Sequence, residues 1–395
     1  MHAHRRTSRS FRRLALAFTA AAAIASAPAV AAGYNDADYR SIAAKAKQLD
    51  GPPVEISSNY WLAWTGAWDT VIMKEARLWE KWLPKGSKVN WKRNLQGPPV
   101  ITDLIANKQQ IGYIGDNPSI VATTKRALAP INIVAVNEIS NGRMCGMLLV
   151  RSDAPKFGGY KEAIKWLDGK VVGVPKGSCA DRLGQYMLKK EGIKVTWQQM
   201  QAEVIVTSLQ AKKIDAAALY EPHLSKAVFD GHARYAVSPA AYGENDANTV
   251  VMRKDFIEKN RDVAIAWLKA NIEALYFLRD HPIETINYVK KELPEYTKEN
   301  LWYAIYGRPP AETGADDIAL KGVMTFTPEV RELLKRGYAF LREIQVVHEP
   351  DLHPEALQND LVVQAFKELG LDPSKGLFEI KAGTKNPFKG DELIK

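Results

Sequence analysis

The residues best suited to binding a small molecule stand in short loops, each of which follows a predicted strand. The candidates are Tyr60, Trp61, Trp64, Gln96, Gly97, Asp116, Asn117, Ser178, Cys179, Tyr220 and Glu221. Aromatic rings form pocket walls and attract cations, glycine admits a close approach of the backbone, and carboxylates pair with ammonium or amidine groups. This set indicates non-covalent binding of a polar solute that has a cationic or donor-rich end.

Several of these residues also have a purely structural interpretation, and the sequence leaves both open. The three aromatic residues of the first loop could belong to the core, and Asp116 could cap the helix that begins at Pro118. Ser178 with Asp181 fits the serine-x-x-acid capping pattern. The helix start at Ser178 would equally attract a carboxylate or sulfonate through its free amides. For Glu221 the alternative is a solvent-exposed turn.

The elements that must position these loops follow a strand–loop–helix rhythm. Residues 97–107 are predicted as a helix with apolar residues at helical spacing, and residues 111–115 as a buried strand. The rhythm repeats up to about Ser238, which favours parallel sheets joined by crossover helices. From Lys254 onward helices dominate, and residues 307–322 are predicted as a loop. The length exceeds one comfortable core, so two domains are expected.

The N-terminus predicts export. Five arginines precede an apolar run from Leu14 to Ala25, and small residues follow near Ala31. This is the pattern of a secretory signal peptide over residues 1–32. Its removal lowers the formal net charge from +9 to +4. No basic face with interleaved aromatics is present, so nucleic-acid binding is not expected. No later segment has the 18 apolar residues of a membrane span, and no cysteine near the cleavage site offers a lipid anchor.

Cysteine and histidine content argues against covalent or metal chemistry. Cys145 and Cys179 are the only two cysteines, and no histidine is near either in the sequence. In an oxidising compartment they are allowed to pair, but pairing needs their Cα atoms within about 7 Å, which the sequence leaves open. His348 and His353 have no partner cluster. We therefore expect no catalytic residue, no metal and no cofactor.

A series of segments resembles one family of binding proteins. In order, they are VEISS, the Gln96-Gly97 turn, IGYIGDNPSIVA, DGKVVGVPKGS, KKIDAAALYEP and VVMRKDFIEKN, between about Val54 and Pro282. Together they resemble the solute-binding component of nitrate/taurine/sulfonate ABC importers, the NMT1-like group. Two departures are the acidic Asp116, where taurine-binding relatives carry small hydroxyl residues, and Tyr220, where the family has tryptophan.

The resemblance implies an α/β, type II periplasmic-binding-protein fold: two lobes joined by a two-segment hinge, followed by a helical C-terminal extension. The hinge segments would lie near Asn141 to Leu149 and Asn245 to Met252. The expected division is residues 1–32 for the signal peptide, 51–144 for the first part of lobe 1, 145–246 for lobe 2, 247–320 for the return to lobe 1, and 321–395 for the extension and polar tail.

The function implied by the resemblance is capture of a small solute in a cleft between the lobes and its delivery to a membrane permease and its ATPase. A sulfonate or taurine-like solute is the leading ligand. The alternatives are a pyrimidine resembling a thiamin precursor, another cationic or aromatic solute, or a sensory role. An enzyme on this fold is disfavoured, because a cysteine cluster is expected there. The mature protein is expected to be a periplasmic monomer without a lipid anchor.

Overall fold

A computed structural model of the chain describes residues 33–94 and 96–389. The segment interpreted as a signal peptide, residues 1–32, lies outside the described residues. Among the described residues, no helix combines the length and the apolar character needed to cross a bilayer.

Twelve strands are formed by the described residues. They are β1 (Glu55–Trp61), β2 (Lys88–Asn94), β3 (Ile111–Gly115), β4 (Ile131–Ser140), β5 (Cys145–Arg151), β6 (Val171–Val174), β7 (Thr196–Gln199), β8 (Ala216–Tyr220), β9 (Ala233–Val237), β10 (Asp246–Arg253), β11 (Ile318–Met324) and β12 (Phe378–Lys381).

Fourteen α-helices are formed by the same part of the chain. They are α1 (Tyr39–Ala43), α2 (Trp68–Glu75), α3 (Gly97–Ile105), α4 (Asp116–Thr123), α5 (Tyr160–Trp166), α6 (Cys179–Lys190), α7 (Ala202–Gln210), α8 (His223–Phe229), α9 (Lys254–Lys259), α10 (Arg261–Asp280), α11 (Pro282–Glu292), α12 (Lys298–Tyr306), α13 (Pro328–Glu343) and α14 (Asp360–Glu368).

The strands form two sheets. One has seven strands in the order β12-β11-β4-β10-β3-β1-β2, and the other has five in the order β7-β6-β8-β5-β9. The chain passes from the first sheet to the second through residues 141–144 and returns through residues 238–245. The first connection is shorter than the predicted hinge segment 141–149, because β5 begins at Cys145. The second has the same length as the predicted segment 245–252 but lies earlier in the chain, because β10 begins at Asp246. The α/β architecture built from two sheets is as expected.

The sheets are mixed, so the expectation of parallel sheets is wrong for part of each. Strand β1 is parallel to β2 and β3, and β6 is parallel to β7 and β8. In contrast, β10 is antiparallel to both β3 and β4, and β5 is antiparallel to β8 and β9. The chain enters β5 and β10 directly from the other sheet, without a crossover helix that would carry it back to the starting edge. Each of these two strands therefore runs antiparallel to its neighbours.

The predicted stretch from Gly97 to Pro118 folds largely as the local pattern indicates. Prolines 98 and 99 occupy the first turn of α3, where their missing N–H groups cost nothing. Val100 and Leu104 of this helix are buried, and all five residues of β3 are buried. Asn107 adopts a left-handed backbone conformation just after the helix, as residues do at helix ends. The stretch therefore brings the starts of α3 and α4 to one edge of the sheet.

The long helix α10 supplies much of the core behind the first sheet. Fifteen of its residues are buried, among them Trp267 and Tyr276. The predicted loop over residues 307–322 is wrong at its end, because β11 begins at Ile318. Strand β11 pairs with β4, and β12 pairs with β11. The C-terminal segment thus contributes two strands to the first sheet besides α13 and α14.

Candidate functional site

A cavity of about 300 Å³ lies where loops of the two sheets meet. Its residues come from the carboxyl ends of β1, β3, β6, β7 and β8 and from the turn before α3, which is where α/β sheets bind ligands. The lining is Trp61, Trp64, Gln96, Gly97, Pro98, Gly115, Pro118, Pro175, Lys176, Gly177, Ser178, Cys179, Gln199, Met200, Gln201 and Tyr220. Seven of the eleven predicted residues are in this set: Trp61, Trp64, Gln96, Gly97, Ser178, Cys179 and Tyr220.

Trp61 and Trp64 form one wall of the cavity. Their side chains are nearly fully buried, and their rings pack edge to face with centroids 5.8 Å apart. The indole Nε1 atom of each has no hydrogen-bond partner among the described residues. The backbone of their loop is linked to the other sheet, since the Thr65 amide donates a 3.1 Å hydrogen bond to the Glu221 carbonyl oxygen.

Four helices begin at the cavity. The residues preceding α3, α4 and α7 are Gln96, Gly115 and Gln201, and none of them caps its helix through a side-chain hydrogen bond. The starts of α3 and α4 pack tightly, because a Cβ on Gly97 would lie 2.8 Å from the ring of Pro118. Helix N-termini present unpaired amides and the positive end of the helix dipole, so they favour an anion. The donors are few at α3 and α4, because Pro98, Pro99 and Pro118 have no N–H and the Asn117 amide is bonded to the Asp116 carboxylate.

The fourth helix, α6, begins at the loop of Ser178. The hydroxyl of Ser178 accepts a 3.3 Å hydrogen bond from the Asp181 amide and donates to the Pro175 carbonyl at 2.7 Å. The Asp181 carboxylate accepts from the Gly177 amide at 2.9 Å. The capping interpretation of Ser178 is therefore confirmed. It coexists with a position at the cavity, where the backbone amides of this turn are the remaining donors.

Lys176 is the one charged side chain among the described residues that line the cavity. It is exposed at the cavity edge. No carboxylate joins it in the described lining, so the cavity combines a lysine with four helix N-termini. The lysine and the helix dipoles both favour an anion at the cavity.

Asp116, one of the candidate ligand-binding residues, does not line this cavity. Its carboxylate is fully buried and accepts a 2.8 Å hydrogen bond from Arg182 of α6 and another from the Asn117 amide at 2.8 Å. Arg182 also bonds to Glu244 at 2.9 Å and to the Asn245 carbonyl at 2.6 Å. The charge of Asp116 is therefore neutralised by Arg182, which belongs to a helix that packs on the other sheet.

Asn117, Glu221 and Tyr60 also lie away from the cavity lining. The side-chain amide of Asn117 is directed at the Ser178 carbonyl at 3.5 Å. Glu221 is fully buried rather than solvent-exposed, and its carboxylate accepts from Arg143 at 2.5 Å, Tyr235 at 3.0 Å and the Ser225 amide at 2.9 Å. The Tyr60 hydroxyl bonds to Glu292 at 3.3 Å. The Glu221 carboxylate and the Tyr60 hydroxyl are therefore already bonded, whereas the buried Oδ1 atom of Asn117 has no hydrogen-bond partner among the described residues.

Cys145 and Cys179, whose pairing the sequence leaves open, are joined in a disulfide, with Cα atoms 6.1 Å apart. The cavity also contains residues that sequence reasoning missed, chiefly Lys176 and the loop of Gln199, Met200 and Gln201. That loop follows a strand placed near Ile193 from the sequence but formed by Thr196–Gln199. A correct strand end would have pointed to it, because loops after parallel strands face the same edge.

Comparisons with known proteins agree with this geometry. A protein of Bacillus subtilis (strain 168) described as an aliphatic sulfonates-binding protein is 25% identical over 237 residues, which cover 58% of this chain and 69% of that protein. The taurine-binding periplasmic protein of Escherichia coli (strain K12) is 27% identical over 195 residues, covering 48% of this chain and 57% of that one.

The same picture comes from solved structures and from the family profile. The periplasmic aliphatic sulphonate binding protein of Escherichia coli superposes with a TM-score of 0.64 at 21% identity, over 80% of this chain and 100% of that chain. This likeness confirms the type II periplasmic-binding-protein fold. The profile of the NMT1-like family matches residues 60–290, more than half of the 395 residues. The chain therefore belongs to the NMT1-like family.

Proposed function

We propose that this protein is the solute-binding component of an ABC-type importer and that its ligand is a small organic anion, with sulfonates as the leading class. The observation that carries the proposal is the meeting of four helix N-termini and Lys176 at one cavity whose described lining has no carboxylate. Amides at helix starts bind an anion without needing a counter-ion. The relatives described as sulfonate- and taurine-binding proteins support the same ligand class.

The apolar part of the cavity favours an organic anion over an inorganic one. Trp61, Trp64, Met200 and Tyr220 present large apolar surfaces to it. An alkyl or aryl substituent would bury against these side chains, and burial of apolar area stabilises a complex by about 25 cal/mol per Å². Nitrate would leave those surfaces without a partner.

Asp116 and Glu221, the two carboxylates that favoured a cationic ligand, do not line the cavity. Both carboxylates pair with buried arginines, so neither is free to receive an ammonium or amidine group. We therefore do not expect a pyrimidine amine to bind, nor a taurine to be recognised mainly through its ammonium group. The binding test includes both compounds.

The remaining parts of the proposal concern location and partners. The relatives are named as binding proteins and one as periplasmic, which supports a non-enzymatic protein exported by residues 1–32. Lobe 1 would comprise residues 51–144 and 247–320, and lobe 2 residues 145–246. The ligand-bound monomer would then dock on a permease that works with an ATPase.

Calorimetric titration with a panel of solutes tests the ligand class. The panel contains ethanesulfonate, butanesulfonate, benzenesulfonate, taurine, nitrate, sulfate and an aminopyrimidine, each at matched ionic strength. We expect the organosulfonates to bind, and a ligand at 100 times its dissociation constant to raise the free energy of unfolding by about 2.7 kcal/mol. Binding of the aminopyrimidine alone, or of no compound, would refute the proposal.

A charge variant tests the role of the cavity lysine. Lys176→Gln should weaken sulfonate binding roughly fivefold, because one partly solvated charge contributes about 1 kcal/mol, and the loss should diminish at high salt. The matched control is Lys194→Gln, which removes an exposed lysine near the other end of α6 that does not line this cavity. Equal effects of the two variants would mean that only net charge matters.

A further inference from the structure

The disulfide joins the segment that connects the two sheets to the helix start at the cavity. Cys145 is the first residue of β5, directly after residues 141–144, and it is fully buried. Cys179 is the first residue of α6 and lines the cavity. Cys145 is also the cross-strand partner of Tyr220, which lines the cavity from β8. The disulfide therefore joins the start of β5 to the start of α6, and strand pairing joins the same residue of β5 to Tyr220 of β8.

The first turn of α6 has two amides left for a ligand. The Asp181 amide is bonded to the Ser178 hydroxyl, and the Arg182 amide to the Ser178 carbonyl. The amides of Cys179 and Ala180 precede the first intrahelical hydrogen bond, so their own helix supplies no acceptor. The groups that could bind an anion here belong to the disulfide-linked residue and its neighbour.

Toward its own sheet, α6 packs through Leu183, one turn after its start, whereas Arg182 in the first turn bonds to Asp116, Glu244 and the Asn245 carbonyl, all outside that sheet. Leu183 packs directly on the backbone of Gly146 in β5, so closely that a Cβ there would lie 2.5 Å from the leucine side chain. Before the helix, Lys176 and Gly177 are exposed. The bond from Cys179 to Cys145 is thus the covalent link between the first turn and its own sheet, beside the burial of Ala180.

We infer that the Cys145–Cys179 disulfide positions the anion-binding amides of α6, so that ligand affinity depends on the bond being formed. This inference rests on the proposed function. Preorganised donors bind a ligand without losing further conformational freedom, whereas a loosened first turn must be ordered at the moment of binding. The two cysteines are positioning residues, and we expect the fold to survive without them because Leu183 and the ion pairs of Arg182 still anchor the helix.

The test compares wild-type protein with the double variant Cys145→Ala/Cys179→Ala, using ethanesulfonate and butanesulfonate as probes in calorimetry. The variant should bind about tenfold or more weakly. Hydrogen exchange gives a readout that a loss of stability alone would not produce. Butanesulfonate should protect the amide of residue 179, which lines the cavity, in the wild type but not in the variant, while protection of the Gly97 amide at α3 should persist in both.

Leu167→Ala serves as the control for stability. It truncates a fully buried residue next to α5 that does not line the cavity, so it destabilises the protein without touching the site. Its dissociation constants should stay within about twofold of wild type. Unchanged affinity in the double variant, or an equal loss in Leu167→Ala, overturns the inference.

Two further results are decisive. If the alanine pair does not fold, Cys145→Val with Cys179→Ala restores buried volume without the bond, and the same tenfold criterion applies to it. If wild-type protein binds no organic anion, the proposed function fails at its own test. If wild type binds and the disulfide-free protein binds equally well, only the positioning role fails.

Discussion

Replacing Arg182 by methionine tests whether the buried ion pairs beside the cavity hold the protein together. Arg182 lies between the carboxylates of Asp116 and Glu244, at 2.8 and 2.9 Å, and all three side chains are almost completely buried. Methionine preserves much of the volume but removes the charge. Glu244 keeps a second partner in Arg336 at 3.2 Å, whereas Asp116 keeps only the Asn117 amide. The variant therefore leaves one buried carboxylate without a cation.

The expected cost is about 3–5 kcal/mol in the free energy of unfolding at pH 7, the usual penalty for breaking a buried pair from one side. Urea denaturation followed by tryptophan fluorescence measures it. The matched control is Arg151→Met, whose ion pairs with Asp153 and Asp215 are partly exposed. We expect that control to cost about 1 kcal/mol or less. The difference in unfolding free energy between the two variants therefore measures the effect of burying the ion pair, because both variants lose an arginine.

Adding Asp116→Asn provides a test of sign. In the wild-type background this change destabilises, because Arg182 loses its partner. In the Arg182→Met background it stabilises, because the uncompensated charge is removed. If Arg182→Met costs no more than Arg151→Met, or Asp116→Asn destabilises both backgrounds equally, the ion-pair argument is refuted.

Two further predictions concern positions away from the cavity. Burial raises the pKa of Asp246 to about 8, so the folded state binds this proton more tightly than the unfolded state and wild-type stability falls as pH rises from about 4 to 8, by up to about 1.4 kcal/mol per pH unit. Asp246→Asn should remove that part of the slope in urea denaturation between pH 5 and 8; an unchanged slope would contradict the assignment. Gly146→Ala places a Cβ 2.5 Å from Leu183 at a φ of 86°, and thermal unfolding should show it to be about 1–3 kcal/mol worse than Gly192→Ala. That control shares a positive φ but meets no atom within 4 Å, so equal costs would show that α6 yields easily.

Local signals allowed much of the cavity's backbone to be predicted. The helix over residues 97–105, the strand over 111–115 and the turn at Asp116 depend on proline placement, apolar spacing and a buried run, all of which act within a few residues. The starts of α3 and α6 therefore lie where the sequence predicts them, whereas α4 begins at Asp116, two residues before the predicted start at Pro118. The position of a helix start also fixes the position of its backbone amides. The local pattern therefore largely predicted where the proposed anion-binding amides lie.

Long-range pairing was not predictable in the same way. Strand β10 inserts between β3 and β4, and it runs antiparallel to both. The direction of a strand depends on how the chain returns to the sheet, which no short pattern contains. Strand β11 was missed for a related reason. Its residues Ile318–Met324 have a lysine and a glycine between apolar positions, and only pairing with β4 and β12 makes them a strand.

The interpretation of two carboxylates, those of Asp116 and Glu221, changes most between sequence and structure. Asp116 and Glu221 stand at the expected turns, so their types and positions suggested a cationic ligand. Their partners, however, are Arg182 and Arg143, which lie 66 and 78 residues away in the chain. A carboxylate neutralised by a buried arginine contributes almost no field at a neighbouring cavity. The helix N-termini and Lys176 then determine the local potential. The proposed preference for an anion therefore depends on ion pairs outside the cavity, which is why breaking one of them should alter both stability and ligand binding.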